Sequence, residues 1–194
     1  MIRALSGVQK SLSDVAKYLG QESGSDLIVR GICSSSRKIE AGDLFVAIPG
    51  SKEHGARFLD EALSKGAVAV VTDQAGSDLI GRKLPVLVVA NPRLILGPLS
   101  DWFYGSPSSK FNLFGITGTN GKTTTSFLLN QIWKSAGKST ALIGTLGVEI
   151  CGELSKGAFT TPEADELTNI FAAATERHVV NGVMEVSKPL HFLT

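Results

Sequence analysis

The feature that most constrains this chain lies between residues 111 and 143. Phe111 to Thr117 (FNLFGIT) is an apolar run of strand character, and Gly118 to Gly121 is a glycine-bearing turn. Lys122 to Ala136 has helical spacing, with Leu128, Ile132 and Ala136 on one stripe and Gly137 as its C-cap. Ser139 to Ile143 reads as a second strand, so the segment is a βαβ unit with parallel strands and a right-handed crossover. The turn between strand and helix is Gly118-Thr119-Asn120-Gly121-Lys122-Thr123-Thr124. A triphosphate needs backbone N–H donors that approach without a Cβ in the way, which the glycines allow. It needs a cation near its outer oxygens, here Lys122, and a hydroxyl for Mg²⁺, here Thr123. The helix that starts there adds unpaired amides and the positive end of its dipole. The match to G-x-x-x-x-G-K-[ST] is imperfect, because Ile116 holds the first glycine position and Gly118 follows two residues later. Phosphoryl chemistry at such a loop is mostly positioning and charge stabilisation, so binding is a firmer expectation than turnover.

The rest of the chain must supply a partner for that unit. With 194 residues it allows about one and a half ordinary domains. A formal charge of +1 with no basic run argues against a phosphate-tracking nucleic-acid binder. No segment has the length of a membrane span or a signal-peptide core, so a cytoplasmic location without membrane contact is expected. Two cysteines, Cys33 and Cys151, cannot form a disulfide framework or a zinc site, and both read as small buried hydrophobes.

Before residue 105 the pattern is short apolar runs between turns. Ser13 is the expected N-cap of a helix ending at Tyr18, Asp43 to Ile48 is a strand, and Ala56 to Ser64 is a helix stopped by Gly66. Ala67 to Thr72 and Val86 to Ala90 are buried strands. Pro92 to Tyr104 looks helical, but Pro98 inside it predicts a kink or break. The polar stretch Gly105 to Lys110 is the expected domain boundary. After it, Ala164 to Thr175 is a second helix and Gly182 to Val186 a third strand. The fold class is therefore α/β: a small α/β domain at 1–108, then the start of a doubly wound phosphate-loop domain at 109–194.

GITGTNGKTTT resembles the ATP loop of the Mur ligases, enzymes that add amino acids to the peptidoglycan precursor, and the variant first glycine is that family's own pattern. Further segments resemble the branch that adds the third residue: Phe103 to Ser108, Leu142 to Gly147, Thr160-Thr161-Pro162-Glu163, Met184 to Ser187, and Ser36-Arg37 followed by Gly42 to Ala47. The resemblance runs from about residue 32 to residue 187. It implies that ATP phosphorylates the terminal carboxylate of UDP-N-acetylmuramoyl-L-alanyl-D-glutamate, and that the amine of meso-diaminopimelate or L-lysine attacks the acyl phosphate. It implies ATP contacts by Gly118, Thr119, Asn120, Gly121, Lys122, Thr123 and Thr124, catalytic roles for Lys122 and Glu185, and Mg²⁺ at Thr123 and Glu185. Ser36, Thr160, Thr161 and Ser187 would contact the UDP-sugar, the 1–108 domain would be the UDP-substrate domain, and the protein would be a monomer.

Plainer readings stand beside these. Ser36 alternatively caps a turn, Thr160 and Thr161 alternatively introduce a helix, and Glu185 alternatively ends a solvated strand. His54 reads as a surface residue, and Asn91-Pro92-Arg93 as a coincidental likeness to the family's amino-acid selector. After Ser187 the chain reads Lys188-Pro189-Leu190, where the family has serine, histidine and then arginine. The family's later residues and third domain are lacking, so a truncated ATPase domain with three parallel strands is expected, with Gly182 to Val186 partly uncovered. The chain alone is expected to be inactive, or to be a non-catalytic UDP-sugar and nucleotide-binding fragment.

Overall fold

The computed structural model describes residues 7–22, 25–155 and 162–186. The chain divides into two compact units, Ser6–Gly105 with Glu163–Glu166, and Ser106–Pro162 with the residues from Leu167 onward. Among the described residues no helix is long and apolar enough to cross a membrane.

The first unit opens with strand β1 (Lys10–Ser11), helix α1 (Leu12–Tyr18) and strand β2 (Ile28–Val29), which pairs antiparallel with β1. The N-cap of α1 is Ser11 rather than Ser13. Ser11 Oγ accepts the Asp14 N–H at 3.0 Å, and Asp14 accepts the Ser11 N–H at 3.2 Å. Asp14 at the third helical position closes this reciprocal box, whereas a cap at Ser13 would meet Ala16 there. Strands β3 (Gly31–Cys33), β4 (Asp43–Val46), β5 (Ala69–Thr72) and β6 (Val86–Val88) then form a parallel sheet in that order. Helices α2 (Leu59–Ser64), α3 (Gln74–Ile80) and α4 (Pro92–Phe103) complete the unit. Phe45, Val70, Leu59 and Ile80 meet Cys33 in its core.

The break allowed for at Pro98 does not occur, and the surface reading of His54 fails, each for an identifiable reason. Helix α4 runs through Pro98 unbroken. Pro98 and Leu94 both lie on the exposed side, so water can satisfy the Leu94 carbonyl that proline leaves without its donor. Asn91 caps this helix, accepting the N–H groups of Arg93 and Leu94, and Pro92 takes the first turn, so Asn91-Pro92-Arg93 has a structural explanation. His54 is no surface residue, with a side chain 13 % exposed. Its Nδ1 accepts the Ala56 N–H, and its Nε2 sits 3.0 Å from Asp73 Oδ1. Asp73 also caps α3 through Gly76 N–H, and that bond, with the histidine, holds its carboxyl below the usual range. A Cβ on Gly76 would lie 2.1 Å from Thr72 Oγ1 and 2.6 Å from His54 Cε1, so glycine is needed for this packing. Glycine inside a seven-residue helix also explains why α3 is invisible to apolar periodicity.

The second unit has strands β7 (Asn112–Ile116), β8 (Thr140–Gly144), β9 (Gly147–Ile150), β10 (Glu153–Ser155) and β11 (Asn181–Glu185), with helices α5 (Lys122–Ser135) and α6 (Ala164–Glu176). The sheet order is β10-β9-β8-β11-β7. β8, β11 and β7 are parallel, as expected, and β9 and β10 extend the sheet as an antiparallel hairpin. β11 is only half-buried and lies between β8 and β7, and among the described residues the sheet's edges are the largely exposed β7 and β10. Ile143, Val148, Ile150, Ile170 and Phe171 form an apolar core in this unit. Cys33 is buried as expected, but Cys151 is exposed in the turn after β9, at a left-handed φ of +50°.

The residues Glu163–Glu166 belong to the first unit. Asp165 is 1 % exposed, and its carboxylate accepts the Ser34 N–H at 2.7 Å and the Ser34 hydroxyl at 3.1 Å. Lys38 pairs with Glu166 beside it. Burial pushes the Asp165 carboxyl up despite the two Ser34 bonds, and the charge of Glu166 adds to the rise. The folded state therefore holds this proton more tightly than the unfolded chain does. Its contribution to stability is full below the ordinary aspartate value and is lost as pH rises through the raised one. Asp165→Asn should accordingly lose less melting temperature than the parent protein as pH rises from about 4 to about 7. Thermal melts of the two proteins across that range give the comparison.

Candidate nucleotide and metal site

Strand β7 ends at Ile116, and the chain turns through Gly118 (φ +150°) and Gly121 (φ +79°) into α5. Both angles favour glycine. Gly121 is the N-cap of α5, and no side chain caps that end. The first backbone N–H groups of the helix are thus free of side-chain acceptors and point out of its positive end. Lys122 folds back over the loop, its ammonium donating to the Gly118 carbonyl at 2.7 Å and lying 3.4 Å from that of Thr119.

Glu185 sits opposite, at the carboxyl end of β11. In-register parallel pairing sets it beside Ile116 of β7 and just beyond the Met184–Ile143 pair with β8. Its Oε2 accepts the Thr123 hydroxyl at 2.9 Å and the Thr145 hydroxyl at 3.1 Å, and its Oε1 accepts the Thr145 N–H at 3.1 Å. The carboxylate therefore ends in an organised polar cluster rather than in bulk solvent. A Cβ on Gly144 would fall 2.2 Å from Glu185 Oε1, so the absent side chain at 144 is what lets the carboxylate lie there. A narrow cleft beside the cluster is lined by Thr123, Ser126, Phe127, Gly144, Leu146 and Glu185.

The pair Thr123–Glu185 fits Mg²⁺. Mg–O bonds of about 2.0–2.1 Å place adjacent corners of an octahedron about 2.9 Å apart. Thr123 Oγ1 and Glu185 Oε2 lie at that separation as ordinary hydrogen-bond partners, so it is the donor chemistry of a hydroxyl and a carboxylate, rather than the spacing, that suits the ion. Among the described residues no group of three or more His, Cys, Asp or Glu side chains gathers as a metal cage. A site with two protein oxygens suits Mg²⁺, which keeps waters and takes substrate phosphate oxygens for its remaining positions.

The chain is similar to known proteins along most of its length. The Mur ligase family catalytic domain matches residues 28–104 and the Mur ligase middle domain matches residues 116–191, so the two together span most of the chain. The chain belongs to the Mur ligase family. A UDP-N-acetylmuramoyl-L-alanyl-D-glutamate–2,6-diaminopimelate ligase of Streptomyces avermitilis is 43 % identical over 178 residues, covering 91 % of this chain and 35 % of that protein. The solved structure of a ligase with the same name superposes with a TM-score of 0.66 at 24 % identity, covering 92 % of this chain and 36 % of the other. A MurF ligase from Thermotoga maritima, solved in complex with ADP, gives 0.56 at 24 % identity over 82 % of this chain and 32 % of its own. At that identity the two structures speak for the fold. The chain spans about a third of the length of these relatives.

Of the other residues expected at a Mur ligase site, Ser36 belongs to the first unit. Ser36 is nearly buried, and its hydroxyl donates to Glu61 at 2.6 Å rather than capping a turn. That bond, aided by Lys65, holds the Glu61 carboxyl below its ordinary value. Thr160, Thr161 and Ser187 lie outside the described residues. Two residues escaped sequence reasoning as site members, Gly144 and Thr145. The available signal was their place at the carboxyl end of a strand that runs parallel to the one bearing Glu185.

Gly144 has no positive φ, so alanine there carries no left-handed backbone penalty beside its steric effect. Gly144→Ala should displace the Glu185 carboxylate and cost about 1–3 kcal/mol by overpacking. Glu185→Ala removes the group that clashes, so the double variant should be less destabilised than the sum of the single ones, by about 0.5–3 kcal/mol. Urea unfolding of the four proteins closes this cycle.

Proposed function

We propose that this Mur ligase chain is the substrate- and nucleotide-binding part of an ATP-dependent ligase. The ligase joins a diamino acid to UDP-N-acetylmuramoyl-L-alanyl-D-glutamate. The observation that carries this reading is the assembly of Lys122, Thr123 and Glu185 around the N-terminus of α5. The name of the 43 % identical relative supplies the acceptor, 2,6-diaminopimelate, and the UDP-muramoyl dipeptide. In the reaction a carboxylate oxygen of the dipeptide attacks the γ-phosphorus of ATP and ADP leaves. The amine then attacks the acyl carbon and phosphate leaves.

The residues divide the work by chemistry. Gly118 to Thr124 hold the phosphates through backbone N–H groups, and the Lys122 ammonium moves from the loop carbonyls to the outer phosphate oxygens. Thr123 and Glu185 hold Mg²⁺, which supplies charge neutralisation on the phosphates when bound. Ser36, Thr160, Thr161 and Ser187 contact the UDP-sugar in our reading. Residues 1–108 form the UDP-substrate domain and 109–194 the nucleotide-binding portion, acting as a monomer in the cytoplasm, where nucleotide substrates are available.

Titration of the 194-residue chain with ADP and Mg²⁺ tests the reading. Lys122→Met removes a charge-assisted contact worth about 1.5–3 kcal/mol, so nucleotide affinity should fall about 10- to 150-fold with little change in melting temperature. Phosphate release with dipeptide precursor and diaminopimelate should stay at background, since the chain spans only about a third of its relatives. Absence of nucleotide binding by the unmodified chain would overturn the proposal.

A further inference from the structure

We propose that Thr145 is the positioning residue that makes Glu185 a one-oxygen ligand for a small divalent cation. This inference rests on the nucleotide-and-metal reading of Glu185 given above. Thr145 and Leu146 are the two residues of the turn that joins β8 to β9, closed by the Gly144–Gly147 pair. Two-residue hairpin turns favour Gly, Asn and Asp. Thr145 has none of that chemistry and no left-handed φ. Its place is explained instead by what it touches, since both of its donors go to one carboxylate.

The three hydrogen bonds on Glu185 differ in how they can change. The Thr145 N–H is fixed by the hairpin register and cannot rotate away, so Oε1 stays engaged with or without a cation. The Thr145 hydroxyl holds one side of Oε2. The Thr123 hydroxyl holds another, and it is the only one of the three that also sits on the phosphate-binding helix. A cation entering between Thr123 and Glu185 needs the Thr123 proton to rotate away while both oxygens stay in place. Thr145 is then what keeps the carboxylate from following the cation or turning a second oxygen toward it. One-oxygen coordination suits the strict octahedron of Mg²⁺, whereas Ca²⁺ tolerates bidentate carboxylates at longer distances. Thr145 thus sets both affinity and the preference for the smaller ion, as outer partners of metal ligands do elsewhere.

The test uses the 194-residue chain with ADP and follows Mn²⁺, an octahedral stand-in, by electron paramagnetic resonance, with Ca²⁺ as competitor. Thr145→Val should weaken Mn²⁺ about 10- to 100-fold and let Ca²⁺ compete better, while metal-free ADP binding stays unchanged. Thr145→Ser, which keeps the hydroxyl, should restore the parent behaviour. Thr145→Ala removes the same hydroxyl at an exposed turn and serves if valine disturbs the hairpin. Parent-like Mn²⁺ affinity in both hydroxyl-free variants, with Glu185→Gln binding Mn²⁺ weakly, overturns the role of Thr145 and leaves the site standing. Mn²⁺ binding that Glu185→Gln does not weaken overturns the metal reading of Glu185 itself, and this inference with it.

Discussion

The second unit is organised around one carboxylate that has to be both held and available. Glu185 lies at the end of the middle strand of the parallel set, where it meets the loop after β7 and the turn after β8. A lone carboxylate drawn out of water is costly unless hydrogen bonds replace the solvent it loses. Three donors do so here, from Thr123 and Thr145, and the room for them exists because residue 144 lacks a side chain. Parallel pairing in register brings these groups together from distant parts of the chain, since β8, β11 and β7 all end at the same level.

That requirement reaches into α5. Thr123 has to face Glu185, and the phase of a helix is fixed once one residue is placed. Residues three and seven further on, Ser126 and Asn130, therefore turn the same way and are fully buried. The stripe that periodicity picks out as the apolar face is the exposed one, with Leu128 55 % and Ile132 63 % accessible. Ser126 returns its hydroxyl to the Thr123 carbonyl, which ties the first turn together. Asn130, by contrast, is buried with neither side-chain amide atom bonded. A helix chosen for packing alone would carry leucine at 126 and 130, so the buried face of α5 is polar where a core helix is apolar.

Much of this was legible before any coordinates. The strand, glycine turn and helix from 111 to 135 are local features, and local features leave local patterns. Glu185 enters from the family resemblance, and an acid inside an apolar strand is a conflict that hydrogen bonds resolve here. The residues that resolve it leave no such signal in the sequence. Thr145 matters through a partner forty residues away, and Gly144 matters through an atom it does not have. Helix α3 and the buried histidine that packs on it share this quality, since Gly76 is there to admit His54 and Thr72. Pro98 leaves its helix continuous for the converse reason. The rule that proline breaks helices assumes a carbonyl without water, and the Leu94 side is wet.

The charges at the start of α5 are arranged against their own stability. A helix N-terminus carries partial positive charge and favours acids in its first turn. α5 has no acid there and instead begins with Lys122, a full positive charge at the positive end. The ammonium meets this by bending back onto the Gly118 carbonyl, which ties lysine and loop together. A capping aspartate at Gly121 would settle the same charges more favourably for folding, but it would fill the place of an anion. In the nucleotide site proposed above, a phosphate group would face both the lysine and the helix end and so offset their unfavourable pairing.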